Sequence, residues 1–168
     1  MNVDNIYLIG MMGSGKSTIG KLLSKKMNLE YIDMDSELEI LMDMSIQRIF
    51  SDYGEKRFRM IESTFFREIS KVGQLIYATG GGIILDKLNR AIIQKGTSIF
   101  LDCSIEELIN RVQDDNQNRP LLNGDIKKNM INLYNERNNF YKKCATHTID
   151  TTTLNTNQVI DEIIKCIN

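Results

Sequence analysis

The chain has 168 residues, 42% of them hydrophobic and 26% charged, with a formal net charge of -1. That length suits one domain with a substantial core, and the composition excludes a disordered chain or a membrane protein. The near-neutral charge provides no overall basic field for a nucleic-acid backbone.

Ile6 to Ile9 is a short, continuous apolar run of the kind found in a strand buried on both faces of a parallel sheet. Residues 10–17, GMMGSGKS, follow it and fit G-x-x-x-x-G-K-[ST] at the start of a helix marked by Ile19, Leu22, Leu23 and Met27. Glycines in such a loop let backbone N–H groups wrap phosphates. Lys16 can reach the β- and γ-phosphate oxygens, Ser17 can place its hydroxyl on Mg²⁺, and Thr18 adds a donor. A nucleoside triphosphate is the expected ligand, but the loop does not name the reaction.

Leu29 to Asp33 returns to strand character and completes a βαβ unit. It ends in YIDMD, at the strand edge where open parallel sheets bind ligands. Asp33 and Asp35 there can serve a metal ion and an acceptor hydroxyl, or one of them can simply cap a helix.

About forty residues then separate the second and third strands, far more than a crossover needs. Ile46, Ile49, Phe50 and Tyr53 mark a short helix, Gly54 breaks it, and Phe58, Ile61, Phe65, Ile69 and Val72 mark a longer one. Arg59 and Glu62 sit three apart on a neighbouring face. They form either a carboxylate-binding arginine held by its glutamate or a surface ion pair.

Leu75 to Thr79 is the third strand, and Gly80, Gly81 and Gly82 at its end can bring backbone amides close to a ligand or make a tight turn. Ile99 to Leu101 is the fourth strand, followed by a capping-box pattern at Ser104 and Glu107 and a helix through Leu108, Ile109 and Val112. From Gln113 to Asp125 the chain is polar and aperiodic and holds the only proline, Pro120. An exposed, mobile lid that adds little to the core is expected. Arg119 inside it can close over a transferring phosphate, and Arg137 in the next helix is a second carboxylate clamp or a solvated residue. His147 to Asp150 is the last strand, with helices near 126–141 and 159–167 around it. His147 has no metal-ligand companions and receives no role. Cys103, Cys144 and Cys166 form no CxxC pair and read as reduced thiols of a cytoplasmic protein. Neither a signal-peptide pattern nor an apolar run of membrane-spanning length is present.

GMMGSGKST, DMD, FRMIE, TGGG and NRPLL stand in the order and approximate spacing seen in shikimate kinases, which YNERNNFYKKCAT also resembles. The resemblance spans nearly the whole chain. It implies transfer of the ATP γ-phosphate to the 3-hydroxyl of shikimate by a cytoplasmic monomer with no nucleic-acid or membrane partner. The implied fold is a nucleoside-monophosphate-kinase-like three-layer α/β/α domain over residues 1–168, with a central five-stranded parallel sheet. It carries a substrate-binding insertion at about 34–60 and a lid at about 113–125.

Carried onto this chain, the resemblance makes Lys16, Asp35 and Arg119 catalytic, and gives Ser17 and Asp33 to Mg²⁺. Gly13, Ser14, Gly15, Lys16, Ser17, Thr18, Arg111, Arg119 and Thr152 would bind ATP, with Arg111 packing on adenine. Asp35, Arg59, Gly80, Gly81, Gly82 and Arg137 would bind shikimate. One departure is visible: the stretch IDTTTLNTNQV lacks the family's usual adenine-loop proline and has Asn155 to Asn157 instead. A gluconate kinase of the same fold is the nearest rival. A non-catalytic nucleotide switch is a second, although the guanine-reading stretch of switch GTPases is absent.

Overall fold

The computed structural model describes residues 4–114 and 119–167. Five parallel strands, β1 (Ile6–Ile9), β2 (Glu30–Asp33), β3 (Leu75–Ala78), β4 (Thr97–Asp102) and β5 (His147–Asp150), form one sheet in the order β2-β3-β1-β4-β5. β1 lies at its centre, with Leu8 aligned to Ala78 on one side and Ile99 on the other.

Side chains alternate across a strand, so Ile6 and Leu8 face one way and Tyr7 and Ile9 the other. The first pair joins Ile76, Ile99, Leu101 and Ile149 in a core that α1 (Lys16–Met27) and α7 (Thr156–Ile167) cover. The second joins Tyr77 and Phe100 in a larger core under α3 (Ile46–Ile69), α4 (Lys87–Ile93), α5 (Ile105–Asp114) and α6 (Ile126–Cys144). This is the expected three-layer α/β/α arrangement. The helices are set down by narrow apolar stripes, such as Val159, Ile160 and Ile163 of α7, which are all buried.

The long segment between β2 and β3 folds as α2 (Met34–Met42) and α3, packed on a small core of Leu38, Ile49 and Phe58. Gly54 interrupts α3 with φ 76° and ψ 167°, a conformation glycine adopts without steric cost. The apolar stripe is narrower than the sequence suggests, because Tyr53 and Val72 are exposed and Val72 lies beyond the end of α3.

Residues 115–118 of the expected lid lie outside the described residues. Its near end is the last turn of α5, and its far end is a 3-10 turn, Pro120–Leu122, before Asp125 caps α6. Leu122 is only 4% exposed and joins the larger core. The expectation that this segment adds little to the core therefore fails at Leu122, a single apolar side chain that no periodic pattern announces. Cys103, Cys144 and Cys166 are all unpaired. Among the described residues, no helix is long and apolar enough to cross a membrane.

Candidate active site

The carboxyl ends of β1, β2 and β3 open into two adjoining cavities of about 560 and 480 Å³, each the size of a small-molecule site. They share a wall made of Met12, Ser17, Asp33, Asp35, Gly81 and Arg119.

The first cavity lies over the phosphate loop. Gly15 takes φ 92° as α1 begins, and no side chain caps the helix. The other six helices each have a side-chain acceptor in the first turn, from Asp33, Ser45, Asp86, Ser104, Asp125 and Asn155. The unmet N–H groups of α1 thus face a cavity, which is the electrostatic setting for an anion. Ser14 points the same way: it is buried, and its hydroxyl has no hydrogen-bond partner. Lys16 Nζ donates to the carbonyl oxygens of Gly10 at 2.9 Å and Met11 at 2.8 Å. Burial lowers the Lys16 ammonium to about 8, with Arg119 and Arg137 pushing in the same direction and Asp35 and Asp33 opposing. Gly13, Ser17 and Thr18 complete this side of the cavity.

At the far side of the same cavity, Arg111 Nε donates to Glu107 at 2.8 Å and its Nη2 to the Thr151 carbonyl at 2.7 Å. The guanidinium is fixed before any ligand arrives. Half of the expected capping box is present: Ser104 Oγ accepts from the Glu107 N–H, while the Glu107 carboxylate turns to Arg111.

The second cavity is lined by Arg59, Glu62, Gly80, Gly82 and Arg137. Arg59 Nη1 meets Glu62 Oε2 at 2.6 Å, its Nη2 meets Glu55 at 3.4 Å, and its guanidinium lies 5.0 Å over the Phe58 ring. Glu62 is 2% exposed and the Arg59 side chain 20%, so this is a largely buried pair rather than the surface pair that the sequence left open. Burial pulls against the Arg59 charge, but Glu62 and Glu55 raise it above the ordinary arginine value. Arg137 is 1% exposed. Its Nε has no hydrogen-bond partner, and the Glu136 carboxylate 3.5 Å away is largely in solvent. A buried guanidinium on the cavity wall with its Nε unpartnered keeps a donor for an incoming anion.

Asp35 stands on the shared wall, open to solvent from the cavity yet surrounded by protein. Loss of water and the charge of Asp33 push its carboxyl up, while Lys16, Arg59 and Arg119 pull it down; the upward push prevails. Asp33 caps α2 through Ser36 N and accepts from the Tyr31 hydroxyl at 2.9 Å. It is therefore both a helix cap and a cavity residue.

The model of the shikimate kinase family matches residues 12–168. The chain belongs to the shikimate kinase family. A shikimate kinase of Caldicellulosiruptor saccharolyticus is 44% identical over 142 residues, 83% of this chain and 82% of that protein. One from Enterococcus faecalis is 38% identical over 165 residues, 97% of this chain and 98% of that protein. Among solved structures, the shikimate kinase from Acinetobacter baumannii in complex with shikimate superposes with a TM-score of 0.93 at 32% identity, covering 98% of this chain and 93% of that one.

In this member of the shikimate kinase family the triple glycine has a further reason besides lining the cavity. A Cβ at Gly80 would collide with the Glu62 carboxylate, and one at Gly82 with the Arg59 guanidinium. These glycines make room for the protein's own ion pair, besides lining the cavity. Tyr141, unassigned from sequence, is fully buried, stacks on Phe100 at 5.2 Å and donates to the Gly81 carbonyl oxygen. It stands one turn after Arg137 on α6, whose end is pinned by Ser98 Oγ donating to the Cys144 carbonyl at 2.6 Å. The sequence signal for it is the resemblance of YNERNNFYKKCAT, which holds both Arg137 and Tyr141, to the family. Thr152 does not line the nucleotide cavity. Its hydroxyl accepts from Ser104 N at 3.1 Å, while Thr151, Leu154 and Asn155 face the cavity instead.

Proposed function

We propose that this protein transfers the γ-phosphate of ATP to the 3-hydroxyl of shikimate, giving shikimate 3-phosphate and ADP. The observation that carries the reading is the shared wall. A phosphate loop on one side and two arginines on the other, Arg137 buried and Arg59 partly buried, meet at Asp35 and Arg119.

ATP occupies the first cavity, with its phosphates on Gly13 to Thr18 and its base toward Arg111. Shikimate occupies the second, its carboxylate between Arg59 and Arg137 and its ring hydroxyls toward Asp35 and Gly80 to Gly82. Phosphoryl transfer asks the protein mainly for positioning and charge stabilisation. The 3-hydroxyl oxygen attacks the γ-phosphorus, the bond from that phosphorus to the β–γ bridging oxygen breaks, and ADP leaves. Asp35, whose raised carboxyl suits it as a base, takes the hydroxyl proton. Lys16 and Arg119 offset the charge spread over the phosphoryl oxygens.

Mg²⁺ fits the residues present. Ser17 and Asp33 offer hard oxygen donors on the shared wall. That suits an ion held jointly by one carboxylate, one hydroxyl, water and phosphates. When bound, it neutralises phosphate charge. Residues at about 34–60 serve as the acceptor-binding insertion and those at about 113–125 as the lid of a cytoplasmic monomer, a compartment with which three unpaired cysteines agree.

Coupled ADP release measured with shikimate, quinate, gluconate and nucleoside monophosphates tests the reading. Shikimate should have the largest kcat/KM; preference for gluconate or for a nucleoside monophosphate would overturn it.

A further inference from the structure

We propose that Tyr31 is a positioning residue for the metal-binding edge of the site. The inference rests on reading Ser17 and Asp33 as the residues that hold Mg²⁺. The Tyr31 hydroxyl donates to Asp33 Oδ2 at 2.9 Å, and the carbonyl oxygen of Ser17 lies 3.3 Å from the same hydroxyl. One side chain from β2 therefore touches both residues, although they stand on different elements.

Asp33 Oδ1 faces the Ser36 N–H at 3.4 Å. With one hydrogen bond on each oxygen, the orientation of the carboxylate is set in advance, and each oxygen keeps lone-pair capacity for a ligand. Tyr31 is itself held in place, since its ring lies against α1 at Gly20, where a Cβ would collide with the ring edge. Glycine in the interior of α1 otherwise has no local reason, and the ring supplies one. The hydroxyl, the ring and Gly20 together fix the distance between the start of α1 and the end of β2. That distance decides whether a hydroxyl and a carboxylate can share one small octahedral ion.

Hydrogen-bond partners of a metal-binding side chain commonly affect metal affinity about 10- to 100-fold. Tyr31→Phe keeps the ring on Gly20 and removes only the hydroxyl. Mn²⁺, a spectroscopic stand-in for Mg²⁺, is titrated into the full chain with ADP and followed by electron paramagnetic resonance, with metal-free ADP binding measured in parallel. Tyr31→Phe should weaken Mn²⁺ binding about 10-fold or more, while metal-free ADP affinity and KM for shikimate stay at wild-type values. Unchanged Mn²⁺ affinity, or a loss of metal-free ADP affinity as large as the Mn²⁺ loss, overturns the positioning role. Asp33→Asn separates this from the reading beneath it. If that variant loses Mn²⁺ affinity and Tyr31→Phe does not, only the positioning role falls; if it binds Mn²⁺ like wild type, the metal assignment falls as well.

Discussion

Gly82 stands where a Cβ would run into the guanidinium of Arg59. Its own backbone is ordinary, with φ -96° and ψ -6°, so alanine there is opposed by the end of the Arg59 side chain and not by conformation. Gly82→Ala should push Arg59 away from Glu62, at an overpacking cost of about 1–3 kcal/mol. Steady-state kinetics should show a raised KM for shikimate with KM for ATP nearly unchanged. Equal shifts in both would mean general unfolding of the cleft.

Arg137 should show stability and activity moving apart. The carboxylate nearest to Arg137, that of Glu136, is largely in solvent, so an apolar replacement strands no buried partner there and ends the cost of keeping a charge buried. Arg137→Met should therefore keep or raise Tm, while kcat/KM for shikimate falls by an amount equivalent to about 2–5 kcal/mol. A variant with normal shikimate kinetics would remove Arg137 from the site.

Arg119 and Leu122, on either side of Pro120, should separate in the same way. Arg119→Ala should leave Tm intact and lower kcat by about 10³, the lower range for arginines that stabilise phosphoryl transfer. Leu122→Ala, three residues on, should instead cost about 2–5 kcal/mol of stability because it empties a core position. Thermal melts beside kcat for both variants check the contrast.

Lys16 carries a pH signature. Its ammonium is held at about 8 when folded and stands at 10.5 when unperturbed. Between those values the unfolded chain binds more protons, so the Lys16 contribution to stability rises with pH across that window, and it is absent below about 8. Denaturant unfolding of the wild type and Lys16→Met should show their stability difference shifting toward the wild type as pH rises through that range. Phosphates that restore the charge should also draw in a proton. Calorimetry in buffers of different ionisation enthalpy should find proton uptake on ADP binding at pH values above about 8 in the wild type and none in Lys16→Met.

The features legible in the sequence are those written over a few neighbouring residues. The phosphate loop between a buried strand and a helix, the break at Gly54 and the position of Asp33 and Asp35 at a strand edge are local patterns, and each stands where the spacing puts it. What stayed hidden depends on residues far apart in the chain. Gly80 and Gly82 are needed because α3 passes over them with Arg59 and Glu62, a contact no dipeptide encodes. Tyr141 reaches the carbonyl of Gly81, sixty positions earlier. Family likeness puts Thr152 at the adenine end, yet the turn after β5 points its hydroxyl at Ser104 and gives Thr151 to the cavity. Leu122 sits in a polar stretch whose composition suggests exposure, and only the packing of its turn against α6 brings it into the larger core.

Phosphorus NMR of the product formed from ATP, Mg²⁺ and shikimate reads the proposed transfer itself. The phosphate should couple to the proton on C3 of the ring, with one ADP released for each shikimate consumed. Phosphate on another hydroxyl, or ADP release that does not depend on shikimate, would be incompatible with an acceptor held by Arg59 and Arg137 and aimed past Asp35 at the phosphate loop.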